Sequence, residues 1–151
     1  MEKKKMMILP ASEAYQTKSA TIRIDEEGFL CVHVHEDAEL NLEEMENCFN
    51  IYRQLGCADH KVLEIIDGSN DFKITKEGRE YAAEHAKEFF IASALVTTNL
   101  AVRLVFNFFS KFHNAEVPFR LFKTDAEARA WLYEFRSPDP PKKLRKEGFL
   151  F

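Results

Sequence analysis

Residues that mark specialised or loop-rich proteins are scarce in this sequence. Glycine and proline number five each, which argues against a chain dominated by loops or low-complexity repeats. No segment approaches the ~18 consecutive apolar residues of a membrane-spanning helix. The lysine-rich start carries a short apolar stretch, residues 6–9, before Pro10, which is too short for a signal peptide. The sequence therefore predicts a cytoplasmic protein with no integral membrane segment.

Cysteine is also scarce, and its spacing excludes two common uses. The three cysteines are Cys31, Cys48 and Cys57, an odd number with no C-x-x-C pair. Neither a disulfide framework nor a zinc site is indicated, so we interpret them as reduced thiols. The chain also lacks a Gly-x-Ser-x-Gly nucleophile motif and a glycine-rich phosphate loop. We predict no catalytic residues, no cofactor and no enzymatic activity.

The charge balance argues against nucleic acid as the main partner. The net charge is −4 and the isoelectric point is about 5.8, whereas nucleic-acid-binding domains are commonly basic. With 151 residues and 46% hydrophobic residues, the chain is large enough for one domain with its own core. These values are typical of an ordinary globular protein.

Phenylalanine is abundant, with 14 residues against one tryptophan and four tyrosines. Each phenylalanine carries a large apolar area and no polar group. A phenylalanine-rich core accounts for many of these rings. A surplus would form a surface for a partner or a pocket for a lipid-like ligand, and the sequence leaves both alternatives open.

Strand and helix patterns alternate along most of the chain. Two alternating apolar stretches around a Glu-Glu-Gly turn predict a hairpin, and three later apolar runs predict buried strands. Helical spacing of apolar residues, with cap residues Asn41, Thr75 and Thr124, predicts helices between them. The predicted strands are 20–25, 29–35, 62–66, 91–96 and 117–122, and the predicted helices are 42–55, 76–89, 100–112 and one that begins after Thr124.

The order β-β-α-β-α-β-α-β-α predicts an α/β fold with a mixed five-stranded sheet and four helices. The later strands are expected to run parallel through right-handed crossovers. We assign residues 1–18 to an N-terminal leader, 19–136 to the domain and 137–151 to a C-terminal tail.

This order resembles the STAS domain, which includes anti-sigma-factor antagonists and cytoplasmic domains of sulfate transporters. The resemblance covers about residues 20–136 and depends on three stretches, 74–83 (ITKEGREYAA), 93–104 (SALVTTNLAVRL) and 117–122 (VPFRLF). The chain is more similar to an uncharacterised bacterial group of STAS-like proteins that has been likened to CRAL-TRIO lipid-transfer domains. The resemblance implies a non-enzymatic protein-interaction or regulatory module. The alternative it implies is a carrier of a small lipid-like ligand in an apolar pocket.

The resemblance also marks a candidate regulatory hydroxyl. Antagonists of the family carry a phosphorylatable serine at the start of the second helix, in an Asp-Ser-x-Gly motif. The matching residues here are Ile74-Thr75-Lys76-Glu77-Gly78, so the hydroxyl is that of Thr75, the preceding Asp is absent and the glycine comes one residue late. We predict that Thr75 is the N-cap of the second helix, and a regulatory role is the alternative. Ser69 in the preceding loop is a second candidate.

His33 and His35 are two apart on a predicted strand, so both side chains are expected on one face. Such a pair can begin a metal site, but a site needs further ligands. The sequence names no third ligand, and His60, His85 and His113 are candidates by residue type alone. We therefore predict no bound metal.

The predicted third helix is more apolar than a helix covering one sheet face requires. Nine of the thirteen residues 100–112 are apolar, whereas an apolar stripe of about 100° is enough. We predict that part of this helix contacts a second copy of the chain in a homodimer, a bound acyl chain, or the chain's own tails, which include Phe149 and Phe151. The candidate interface or ligand face consists of Val105, Phe106, Phe108, Phe109 and Phe112.

Overall fold

A six-stranded mixed sheet forms the centre of the molecule. The computed structural model describes residues 8–112 and 116–136, with the side chains of 108–112 left out. The strands lie in the order β1-β2-β3-β5-β7-β8, and β4 and β6 form a separate two-stranded sheet. The strands are β1 Tyr15–Gln16, β2 Ala20–Ile24, β3 Leu30–Val34, β4 Ala38–Leu40, β5 Val62–Asp67, β6 Phe72–Ile74, β7 Phe90–Val96 and β8 Phe119–Phe122.

The strand directions follow the prediction. The hairpin of β2 and β3 is antiparallel, and β3, β5, β7 and β8 are mutually parallel. The register places Glu64 of β5 beside Leu30 of β3 and beside Ser93 of β7. These three residues therefore cross the middle of the sheet in one row.

The α/β class and the mixed sheet are confirmed, but the predicted number of five strands is one too few. Tyr15–Gln16, inside the segment predicted as a leader, pairs with β2 at the edge of the sheet. Strands β4 and β6 were also not predicted. Strands β1, β4 and β6 have only two or three residues each. That is too short for an alternation of apolar and polar residues to be recognised in the sequence.

Among the described residues three helices connect strands and a fourth follows β8, and the predicted caps are confirmed. The side chains of Asn41, Thr75 and Thr124 each accept a hydrogen bond from the backbone N–H three residues later, which satisfies one of the unpaired donors of each first turn. The second helix ends earlier than predicted and continues as a 3-10 turn over Ala86–Glu88. The helices are α1 Leu42–Gln54, α2 Lys76–His85, α3 Leu100–Phe112 and α4 Asp125–Tyr133.

The helices cover the two faces of the sheet unequally. One face packs against α4, whose Trp131 and Leu132 contact a cluster that includes Ala92 and Ala94 of β7. The opposite face carries two apolar clusters, one with Phe49 of α1 and the other reached by α3. Within the described ranges no helix is long and apolar enough to cross a membrane. The tail 137–151, including Phe149 and Phe151, lies outside the described residues.

Candidate functional site

A cavity of about 140 Å³ lies between the sheet and the helices of its second face. Strands β3, β5 and β7 form its floor, and α1, α2, α3 and the small sheet of β4 and β6 form its walls. Apart from Glu64, Arg79 and Ser93, the described residues that line it are aliphatic, aromatic or cysteine. Concave, mostly apolar sites with a few polar groups are typical of small-molecule binding.

Short side chains on α2 leave the space for this cavity. Ala82 and Ala83 of α2 and Ala86 of the following turn line the wall that faces the sheet. The start of α2 is held close to β4, because a Cβ on Gly78 would overlap the backbone carbonyl oxygen of Leu40. The helix is thus held close to β4 at its first turn, and its short alanine side chains border the cavity.

Glu64 and Ser93 place a polar pair on the apolar floor. Both residues are only 5% exposed, and the Ser93 hydroxyl donates to Glu64 Oε1 at 2.6 Å. Burial raises the pKa of Glu64 to about 7, although the Ser93 hydrogen bond lowers it in part. The carboxyl is therefore protonated over much of the range below neutral pH, and it can donate a hydrogen bond as well as accept one.

One cation also lines the cavity. Arg79 lies in the first turns of α2, and its Nη1 donates to the carbonyl oxygen of Ile74 at 3.0 Å. Glu64 and Arg79 are the two charge-bearing side chains among the described lining residues. The cavity is therefore lined by one acidic and one basic side chain, and nearly all of its other lining residues are apolar.

The cysteines do not provide a nucleophile. Burial raises the thiol pKa of Cys31, Cys48 and Cys57 to about 12 in each case. The reactive thiolate is therefore scarce at neutral pH. Cys48 lines the cavity, where it contributes apolar surface.

The two candidate regulatory hydroxyls occupy different environments. Thr75 Oγ1 accepts from the Gly78 N–H at 3.0 Å, as expected of an N-cap. Ser69 is exposed, and its hydroxyl donates to Asp67 Oδ1 at 2.7 Å. Neither residue lines the cavity, and a regulatory role for either stays a prediction.

His33 and His35 form separate hydrogen bonds. His33 Nδ1 lies 3.0 Å from Asp67 Oδ2, and His35 Nε2 lies 2.8 Å from the Thr21 hydroxyl. In the described parts of the chain, no three His, Cys, Asp or Glu side chains are grouped to hold a metal ion. His60 and His85 are not brought to this pair, and His113 lies outside the described residues.

The structure separates the residues predicted to form one face of α3. Phe106 is half-buried, stacks on Phe119 with ring centroids 5.4 Å apart and lines the cavity. Val105 lies on the exposed side with Leu104, at 36% and 58% exposure. The side chains of the remaining three predicted residues, Phe108, Phe109 and Phe112, lie outside the described part of the chain.

Glu64, Ser93 and Arg79 were not identified as site residues from the sequence. A signal for Glu64 was present, because a carboxylate inside an apolar strand covered on both faces has to be buried. Ser93 lies in the next buried strand, but its pairing with Glu64 depends on the register between β5 and β7. Arg79 carries no local signal, since a charged residue on a helix is usually solvated.

Comparison with known proteins supports the fold. A family model described as a domain of unknown function, DUF7793, matches residues 22–136. No curated protein matches the chain. Among solved structures, the chain is similar to an uncharacterised protein of the DUF3478 family from Shewanella loihica PV-4, which has a SpoIIAA-like fold. The identity is 14% and the TM-score 0.51, with 82% of this chain and 94% of that chain covered. At this identity the likeness shows the fold alone, and it confirms the predicted STAS-like architecture.

Proposed function

We propose that the chain, which belongs to the DUF7793 family, is a non-enzymatic module that binds a small apolar molecule in the cavity beneath α2. The observation that carries this proposal is the apolar, partly open cavity of about 140 Å³ on one face of the sheet. Protein interiors are normally packed to the density of organic crystals. A space of this size therefore has a cost in stability, and binding a ligand offsets that cost.

The size of the cavity limits the ligand to a small molecule. An apolar protein cavity of about 150 Å³ binds benzene, so a single ring with a short substituent fits the volume found here. A long acyl chain would need more room or a displacement of α3. The cavity volume therefore restricts the predicted lipid-like ligand to a compact molecule.

The first experiment uses ethylbenzene as the probe and a cavity-filling variant as the comparison. Ala83→Leu adds three carbons on the α2 wall of the cavity, whereas Ala130→Leu adds the same carbons at an exposed site on α4. We expect ethylbenzene to raise the melting temperature of the wild type and of Ala130→Leu, because a ligand that binds only the folded state stabilises it. The shift should be lost in Ala83→Leu.

Two results would overturn the proposal. One is no shift in the wild type at saturating ethylbenzene, and the other is an equal shift in Ala83→Leu and wild type. Isothermal titration calorimetry on the same three proteins checks that the shift comes from stoichiometric binding.

A second candidate function is self-association through the exposed side of α3. Leu100 and Leu104 are 67% and 58% exposed, and Ala101 and Val105 are exposed beside them. These four residues form an uncharged strip at i, i+1, i+4 and i+5, so nothing in it selects a partner of opposite charge. A two-fold axis would pair the strip with itself and remove it from water.

Sedimentation equilibrium of the full chain tests this second candidate. A dimer in the wild type that becomes a monomer in Leu104→Glu, with unchanged stability, is the expected result. Lys123→Glu changes an exposed residue away from the strip and serves as the control. A monomeric wild type over the micromolar range would contradict self-association.

A further inference from the structure

The polar pair on the cavity floor indicates which kind of small molecule the cavity selects. We propose that the ligand is a neutral single-ring molecule with one hydroxyl group, a simple phenol, and that this hydroxyl binds to the Glu64 carboxyl. The inference rests on the proposed function and adds the chemical class of the ligand. It depends on the geometry of Glu64, Ser93 and Arg79 in the cavity.

The first step is that the Glu64 carboxyl retains hydrogen-bonding capacity. A carboxyl group has two oxygens with about four lone-pair sites. Ser93 supplies one hydrogen bond, to Oε1 at 2.6 Å, and is the partner of Glu64 among the described residues. A buried polar group with unused capacity is costly unless a partner satisfies it. A ligand in the cavity can supply that partner, because Glu64 itself lines the cavity.

The second step concerns the charge of the ligand. An ammonium on the ligand would share the cavity with the Arg79 cation, and a carboxylate or phosphate would share it with the Glu64 carboxyl, which ionises near neutral pH. Either charged ligand would also lose its hydration among apolar side chains. A neutral ligand avoids both costs.

The third step concerns the functional group. Burial keeps the Glu64 carboxyl largely protonated below neutral pH, so it both donates and accepts. A hydroxyl is the smallest group that also does both. It can accept the carboxyl proton and donate to the remaining carboxyl oxygen, while Ser93 stays bound to Oε1.

The fourth step concerns the body of the ligand. The volume of about 140 Å³ accommodates one ring with a short substituent. Phe49, Tyr52 and Phe90 line the cavity and offer aromatic surfaces, which favour offset or edge-to-face contact with another ring. The alanines of α2 leave room on the opposite wall.

The test compares 4-ethylphenol with ethylbenzene, which differ by one hydroxyl, in the wild type and in Glu64→Leu. We expect the wild type to bind 4-ethylphenol about tenfold more tightly, the effect of one satisfied hydrogen bond in a buried site. In Glu64→Leu the order should reverse, because ethylbenzene is then the better match for a wholly apolar cavity. Ser93→Ala should retain a preference for 4-ethylphenol. Dissociation constants come from titration calorimetry at mildly acidic pH, where the Glu64 carboxyl is largely protonated.

The outcomes separate this inference from the function on which it rests. If ethylbenzene does not bind the wild type, the proposed function itself fails, and the inference fails with it. If both bind with equal affinity, or ethylbenzene binds more tightly, the inference is wrong while the proposed function stands. Tyramine, which adds an ammonium to the same phenol, should bind more weakly than 4-ethylphenol, and tighter binding would overturn the neutral-ligand assignment. Should Glu64→Leu fail to fold, Glu64→Met, which has a similar volume and no strong hydrogen-bonding group, takes its place, with loss of most of the preference expected.

Discussion

The two faces of the central sheet are filled in different ways, although the same strands contribute to both. On the α4 face, Leu63, Ile65, Ala92 and Ala94 pack against Trp131 and its neighbours in a continuous apolar cluster. On the opposite face, Glu64 and Ser93 alternate with those same residues and border the cavity. Large aromatic side chains thus pack on the α4 face, whereas the short alanines of α2 border a cavity on the opposite face.

Under the proposed function, this difference separates the face that stabilises the molecule from the face that binds the ligand. The closed face gains stability from close apolar contacts, with the Trp131 and Phe135 rings 4.9 Å apart. The cavity face gives up some packing and keeps a buried carboxyl, both of which are unfavourable for folding alone. Such departures from the stable arrangement are common at functional sites.

The largest expected effect is on the closed face. Trp131→Ala should lower the free energy of unfolding by about 3–5 kcal/mol, because it removes a buried ring from a packed cluster. Phe106→Ala on the cavity face should cost only about 1–2 kcal/mol, since that ring is half-buried and borders existing space. Urea denaturation measures both. Equal losses would remove the distinction between the two faces.

The next effect is the pH dependence that the cavity face imposes. Glu64 has a pKa of about 7 in the folded state, against an ordinary value of 4.5. The unfolded chain therefore loses this proton first, and the stability of the folded state falls as pH rises from 4.5 to about 7. Above that range the cost levels off at up to about 3 kcal/mol.

Glu64→Gln tests this effect because it keeps the shape and removes the titration. The variant should be more stable than the wild type by up to about 3 kcal/mol at about pH 8 and nearly equal to it at about pH 5. Cys48, Tyr52 and Cys57 are ionisable groups near Glu64, and burial raises the pKa of each of them above this range. If the free energy of unfolding changed with pH in the same way in both proteins, the pH dependence would come from a group other than Glu64.

A third effect concerns how α2 is held over the cavity. Gly78→Ala should cost about 1–3 kcal/mol, because its Cβ would overlap the Leu40 carbonyl and push the helix from β4. Lys76→Ala, at an exposed position in the same turn, is the matched control and should be close to neutral. Thermal melts of the two variants measure the difference. A neutral Gly78→Ala would show that α2 is free to shift.

The smallest effect compares two equivalent caps on opposite faces. Thr75 caps α2 beside the cavity, and Thr124 caps α4 on the closed face. Either threonine replaced by alanine should lose about 0.5–2 kcal/mol. Thr75→Ala alone should also weaken ethylbenzene binding, since α2 forms a cavity wall. Equal weakening by Thr124→Ala would mean that the binding change reflects global stability.

Much of the fold could be predicted from local sequence signals. The hairpin, the three parallel strands and the caps at Asn41, Thr75 and Thr124 all depend on residues within a few positions of each other. The short strands β1, β4 and β6 could not, because their pairing is set by tertiary contacts and not by a pattern of their own. Local periodicity identified the strands of four residues or more and missed those of two or three.

The candidate site was less predictable because its residues are distant in the chain. Glu64, Arg79 and Ser93 come from β5, α2 and β7 and meet only through the sheet register and the helix crossover. The apolar character of residues 100–112 was visible in the sequence. Which side of that helix faces inward was not, and the structure places Phe106 toward the cavity and Val105 toward solvent.

The most direct test of the account is to locate a bound probe on one face of the sheet. Backbone amide NMR spectra of the isotopically labelled chain, recorded with increasing 4-ethylphenol, report which residues sense the ligand. We predict saturable shifts concentrated at Glu64 and Ser93 and along α2, with little change at Trp131 and the rest of α4. Shifts centred on α4, or small unsaturated shifts spread over the surface, would contradict a binding site in the cavity.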